Sequence, residues 1–319
     1  MKKLFFSIFA LCMGMCAMAQ SSIYVCKKNG KYTKYLIADL DSISFTEPFL
    51  PLSGVFTIAK GKTVKFASGN LQCTLSATDT IWKFATNQYD MLGTDNVIGG
   101  TISTDTTYGE SKSGSALAEK IDLFGWSANN TTAPWGISTS EEDSIDYSGD
   151  FVDWGKNIGD GDAWRTLTKE EWLYLLNIRT NASEKKGIAR LTLNDDGSQY
   201  INGLILLPDE WTDVEGVTFR TGFSTNYSSV QAYTLQTITL TDWQKLEAAG
   251  AVFLPTTGRR DGMEVKYVQC RGYYWADTPT DKKETYSKTQ YMYFASNIAR
   301  TSTSGRYYGR AVRLVQDVK

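Results

Sequence analysis

No histidine occurs anywhere in the 319 residues. Imidazole is the usual general base near neutral pH and the commonest metal ligand. Its absence excludes Ser-His-Asp and Cys-His nucleophile systems. It also excludes histidine-containing zinc and non-haem iron sites. Carboxylate pairs, lysine or tyrosine chemistry and oxygen-ligand calcium remain. Net charge is missing too: 33 Lys and Arg against 35 Asp and Glu leave −2. Such a chain has no long-range field to gather nucleic acid or an acidic membrane. No stretch reaches the roughly 18 apolar residues of a spanning helix, so no membrane span is expected. Proline is sparse, at 6 residues, whereas Tyr, Phe and Trp number 18, 14 and 9.

The chain opens with Met1-Lys2-Lys3 and an apolar run from Leu4, ending in Ala17-Met18-Ala19 before Gln20. A short basic start, an apolar segment and an A-x-A site form a secretory signal peptide over 1–19. Export to the periplasm, the cell surface or the medium follows. Cys12 and Cys16 lie in this leader, but Leu11 and Met15 before them do not suit a lipid-attachment box. The remaining cysteines, Cys26, Cys73 and Cys270, are odd in number, so at least one has no partner within the chain. Cys73 and Cys270 could bridge in an oxidising compartment or sit as small buried apolar residues.

Residues 20–48 read as a small β appendage. Asn29-Gly30 between two β-prone runs predicts a hairpin, and 37–45 alternates as a third strand. Pro48 to Pro51 marks a boundary, leaving 49–319 as the main domain. Within it, 94–118 reads as a long surface loop rich in Gly, Ser and Thr. Thr168 and Glu171 form a capping box that starts a helix with Trp172, Leu175, Leu176 and Arg179 on one face. A second helix is predicted over 241–250, with Thr241 as its N-cap and Gly250 just past its end. Tyr273-Tyr274-Trp275, Tyr291-Met292-Tyr293-Phe294 and 311–315 read as strands, separated by polar loops at 277–289 and 296–309. The expected class is α+β: two main helices packed on antiparallel strands, with the N-terminal appendage.

An ordered set of motifs carries a resemblance. It runs through 66–72 (FASGNLQ), 121–126 (IDLFGW), 153–155 (DWG), 164–172 (WRTLTKEEW), 206–211 (LLPDEW), 250–255 (GAVFLP), 272–275 (GYYW) and 310–315 (RAVRLV). Together these resemble bacterial exported proteins with a C-type-lectin-like fold. That group includes the major paralogous domain proteins and the variable proteins of diversity-generating retroelements. More distantly it is similar to the formylglycine-generating enzyme fold. The resemblance spans roughly 54–316 and implies ligand contact by the C-terminal strands and loops, here about 273–309. The cysteine pair of the formylglycine-generating enzymes is not matched, because only Cys270 stands near the C-terminus. The calcium motifs of animal lectins are not matched either: Trp275-Ala276-Asp277 occurs without the proline-containing tripeptide.

The candidate ligand-binding residues are therefore Tyr273, Tyr274, Trp275, Asp277, Tyr291, Tyr293, Asn297, Arg300, Arg306, Tyr307 and Tyr308. Tyr, Trp and Arg dominate contact hot spots, and Asn adds adaptable hydrogen bonds. Strand alternation puts Tyr291 and Tyr293 on the face opposite Met292 and Phe294. Arg313, between Val312 and Leu314, is expected to anchor an ion pair. Asp153, Asp160 and Asp162 leave room for calcium but fit no complete EF-hand loop, so no cofactor is assigned. Glu141, Glu142, Asp143 and Asp146 cluster in one acidic loop, which by itself does not set two carboxyls across a cleft. The expected function is non-enzymatic binding of a protein or glycan, with no nucleic-acid partner. A carboxylate-dependent glycan-active enzyme and a structural or adhesin-like surface subunit are the alternatives.

Overall fold

A computed structural model describes residues 22–26, 31–39, 49–75, 80–97, 101–102, 120–126, 150–159, 163–225, 230–262, 264–279 and 288–318. The chain divides into two compact units, Met1–Pro48 and Phe49–Lys319. The leader at 1–19, the Asn29-Gly30 turn and the acidic residues Glu141, Glu142, Asp143 and Asp146 lie outside the described residues. So do Asp160, Asp162 and most of 94–118.

In the first unit, β1 (Ser22–Cys26) and β2 (Tyr32–Leu36) form an antiparallel hairpin, with Tyr24 edge-on to Tyr32. The predicted third strand is replaced at its start by a 3-10 turn over Ile37–Asp39.

The second unit carries β3 (Phe56–Ala59), β4 (Lys62–Phe66), β5 (Leu71–Leu75), β6 (Thr80–Phe84) and β7 (Thr101–Ile102). After the first helix come β8 (Lys186–Thr192), β9 (Tyr200–Leu206) and β10 (Thr237–Thr239). After the second come β11 (Val252–Pro255), β12 (Arg259–Asp261), β13 (Glu264–Lys266), β14 (Arg271–Pro279), β15 (Lys288–Ala295), β16 (Ile298–Gly305) and β17 (Val315–Asp317). They pair as small sheets in the orders β10-β8-β9-β11, β12-β13-β7, β14-β15-β16, β17-β4-β3 and β5-β6.

This architecture overturns the α+β expectation. The described residues are mostly β, with short helices and small sheets, and they do not form a clear two-helix lectin-like fold. The Thr168 capping box is present, with Thr168 Oγ1 accepting from the Glu171 amide and Glu171 accepting from the Thr168 amide. Its α-helix, however, lasts only from Lys169 to Leu173 before opening into a π turn over Tyr174–Ile178. Arg179 ends it: Nε donates to the Leu175 carbonyl at 3.0 Å, and Nη2 donates to Leu207 at 2.9 Å. The second helix is Leu240–Ala248, capped by Thr239 rather than Thr241. The expected loop at 296–309 is largely β16, joined to β15 by a two-residue turn at Ser296-Asn297. The predicted strand at 311–315 shrinks to β17, which pairs with β4 and so returns the C-terminus to the start of this unit.

Two buried clusters hold this unit. The first packs Trp172, Leu175, Leu176, Trp243 and Leu246 against Leu191, Leu204, Leu206 and Phe253. The second is aromatic: Phe84, Phe124, Trp126, Trp154, Trp164, Tyr273, Trp275 and Tyr291. Each fully buried large apolar side chain contributes about 1.5–3 kcal/mol. The β14-β15-β16 sheet divides the two, because successive side chains alternate across it. Tyr274, Met292 and Phe294 enter the first cluster, whereas Tyr273, Trp275 and Tyr291 enter the second. Gly272 is required here, since a Cβ would lie 2.0 Å from the Phe294 ring.

Candidate functional site

Both faces of β14 and β15 are thus covered, which relocates several candidate residues. Tyr273, Tyr274, Trp275 and Tyr291 are 3%, 0%, 1% and 8% exposed. Two of their polar tips are occupied as cores require: Tyr274 donates to the Pro255 carbonyl at 2.8 Å and Trp275 Nε1 to the Phe124 carbonyl at 2.6 Å. These four are core residues, not surface contacts. Asn297 and Arg300 are exposed, and Asp277, Tyr293, Arg306, Tyr307 and Tyr308 are half-buried.

The structure gathers most of the remainder around Arg259 and Arg271, which the sequence did not single out, together with Arg300, Arg306 and Arg310. Arg259 on β12 stacks on Tyr308, 4.1 Å from its ring centre, and approaches Tyr267 at 5.5 Å and Tyr273 at 5.7 Å. Arg271, the first residue of β14, lies 4.6 Å over Tyr267 and 6.0 Å from Tyr293. Arg300 reaches Tyr293 from β16 at 5.9 Å, and Arg306 lies 5.4 Å over Trp126. Arg310 completes the cluster at 3.9 Å from Tyr291, 4.3 Å from Trp275 and 5.2 Å from Tyr308. Guanidinium groups over aromatic faces gain about 0.5–2 kcal/mol each, most where water is excluded.

Local backbone geometry serves this gathering. Tyr267 and Gln269 hold left-handed φ angles of 65° and 63°. Gln269 is fixed by accepting from the Asn202 amide at 2.8 Å and donating to Tyr200 at 3.0 Å. The strained turn presents the Tyr267 ring to Arg259 and Arg271. Gly305 lets the chain after β16 fold back, since a Cβ there would meet the Tyr307 ring at 2.3 Å. Tyr307 and Tyr308 then pack together at 4.4 Å.

The electrostatics of the cluster are those of cations among phenols. Burial opposes the charge of Arg259, but Tyr273, Tyr308 and Asp261 outweigh it and shift the group upward. Asp261 lies 3.3 Å from Arg259 and 3.6 Å from Lys266. Burial pushes the Tyr273 phenol up to about 12, against Arg259 and Arg271, and raises Tyr293 as well. These phenols keep their protons at neutral pH. The Cys73 thiol, pushed up to about 11 by burial, keeps its proton too. Cys73 and Cys270 are buried, and no disulfide joins them.

Asp277 stands apart from the arginine cluster. Burial, with Asp153 and Glu171 nearby, pushes its carboxyl up to about 6 despite a hydrogen bond from Thr278. Its acidic neighbours are committed to structure. Asp153 accepts from the Gly155 amide at 2.9 Å and the Thr166 amide at 2.9 Å. Glu171 accepts from Thr168 and lies 2.7 Å from Arg165. Among the described residues no helix is long and apolar enough to cross a membrane.

No family model matches the chain, and neither a curated protein nor a solved structure shows similarity to it.

Proposed function

We propose that this chain is an exported, non-enzymatic binding module that engages a protein or glycan through the end of the β14-β15-β16 sheet and the turn that follows. The observation that carries this reading is the arginine–tyrosine cluster. Arg259, Arg271, Arg300, Arg306, Tyr293, Tyr307 and Tyr308 lie together with their heads partly or fully open to water. Arg and Tyr are the residue types that concentrate binding energy. Stacking fixes these heads in advance, which lowers the ordering cost of association. The leader at 1–19 supports delivery outside the cytoplasm.

The test is a glycan array and a protein pull-down with the full chain and with Arg306→Ala and Tyr307→Ala. Each substitution is expected to weaken capture at least tenfold while leaving the circular dichroism spectrum unchanged. Capture that both variants retain at full strength removes this face from the function.

A second reading, a surface subunit that assembles with its own kind, draws on the N-terminal hairpin. Tyr24, Val25, Tyr32, Tyr35 and Leu36 are all exposed large apolar residues on two short strands. An isolated two-stranded hairpin is marginal in water. If that reading holds, deleting 21–48 abolishes oligomers seen by light scattering; if the oligomers persist, it fails.

A further inference from the structure

We propose that Arg310 is the anchor of an anion slot within this face, and that the group it receives is a carboxylate of the ligand. The inference rests on the binding-module reading and names the chemistry of its ligand. Arg310 is fully buried, yet among the described residues no carboxylate lies within ion-pair distance of it. Its Nη2 donates to the Ser304 hydroxyl, while Nε and Nη1 have no hydrogen-bond partner among the described residues. Buried donors left unpaired cost about 1–3 kcal/mol each, and more when charged. Arg310 retains that cost, as a residue does when its partner arrives from outside.

The surroundings select the class of partner. Trp275, Tyr291 and Tyr308 lie against the guanidinium, and the nitrogens without a hydrogen-bond partner, Nε and Nη1, lie along its planar edge. The planar O–C–O of a carboxylate matches that edge, as guanidinium–carboxylate pairs do generally. A tetrahedral phosphate is bulkier across the plane. The neighbouring Arg259 adds positive potential, although Asp261 offsets part of it. Ser304 and Tyr308, which both touch the guanidinium, are themselves only half-buried. Burial without a carboxylate pushes Arg310 down to about 9, which still leaves it charged at neutral pH.

The experiment titrates the full chain with D-galacturonate, glutarate, inorganic phosphate and D-galactose, reading tryptophan fluorescence and the Arg310 Nε–H resonance. Saturable responses to both carboxylates or to galacturonate alone, with none to galactose and a weaker one to phosphate, are expected. The galacturonate-only outcome specifies an acidic sugar. Arg310→Met, which keeps the volume of the side chain, should lower carboxylate affinity roughly 10- to 100-fold. Ser304→Ala gives a second variant that spares the buried packing, and it should also change the affinity. Phosphate binding as tight as either carboxylate overturns the assignment, and so does an absence of response into the tens of millimolar. Array or pull-down capture that Tyr307→Ala abolishes but Arg310→Met leaves intact refutes the slot while preserving the binding face. A carboxylate response in a chain that captures nothing preserves the slot and refutes the wider reading.

Discussion

Arg310 and Arg313 stand three residues apart, are 0% and 2% exposed, and have no ion-pair partner among the described residues. Burial lowers both, to about 9 and about 10. Their donors fare differently. Arg313 Nε donates to Asn70 Oδ1 at 3.0 Å and Nη1 to the Ala67 carbonyl at 3.2 Å. Its Nη2 donates to the carbonyls of Gln88 at 3.1 Å and Phe253 at 2.9 Å. One side chain thereby holds three segments distant from it in sequence, at 67–70, 88 and 253. Arg310 has aromatic faces and one hydroxyl, with two nitrogens lacking a hydrogen-bond partner among the described residues. Equal burial therefore does not mean equal role: a guanidinium whose donors are all used by its own chain is structural, and one whose donors are unused is poised for something else.

The largest effect expected from breaking this comparison is at Arg313. Arg313→Met would strand buried acceptors at Asn70, Ala67, Gln88 and Phe253, costing about 3–5 kcal/mol in urea unfolding. Arg310→Met should cost far less: it removes an unpaired buried charge along with its guanidinium–aromatic contacts, so unfolding should shift by no more than about 1 kcal/mol. If the two variants destabilise equally, the distinction between them is lost.

Parts of this were legible in the sequence. Thr168 and Glu171 announced a helix start, and the aromatic runs at 273–275 and 291–294 announced strands. Alternation correctly set Tyr291 opposite Met292, but it cannot say whether a face is covered. That depends on Trp126 and Trp154, which arrive from distant parts of the chain to cover the Trp275 side at 5.7 and 6.5 Å. The polar run Thr301-Ser302-Thr303 resembled a loop, yet Tyr291, Met292 and Gln290 of β15 pair with it register by register. Tertiary pairing overrides composition there. Arg313 suggested an ion pair, whereas the return of β17 to β4 sets it among carbonyls. Arg259 and Arg271 join Arg310 only through folding, so no local pattern marks them.

The comparison also extends to the opposite sign, where the smallest effect is expected. Asp277 is half-buried, and among the described residues it has no ion pair; Thr278 donates to it at 3.2 Å. Its carboxyl sits at about 6, against an ordinary 3.8. Between those values the folded chain holds a proton that the unfolded chain has released. The protonated form thus favours folding at low pH, and that advantage is lost as pH rises through about 6. Asp277→Asn keeps an acceptor for Thr278 and removes the charge. It should stabilise the chain by about 1 kcal/mol at pH 7, after allowance for solvent screening at a half-exposed site, and by nothing measurable near pH 4. Thermal unfolding of both forms across that range checks it. A gain independent of pH would mean that the carboxylate carries no burial penalty, and that what distinguishes Arg310 is its empty donors rather than unpaired charge as such.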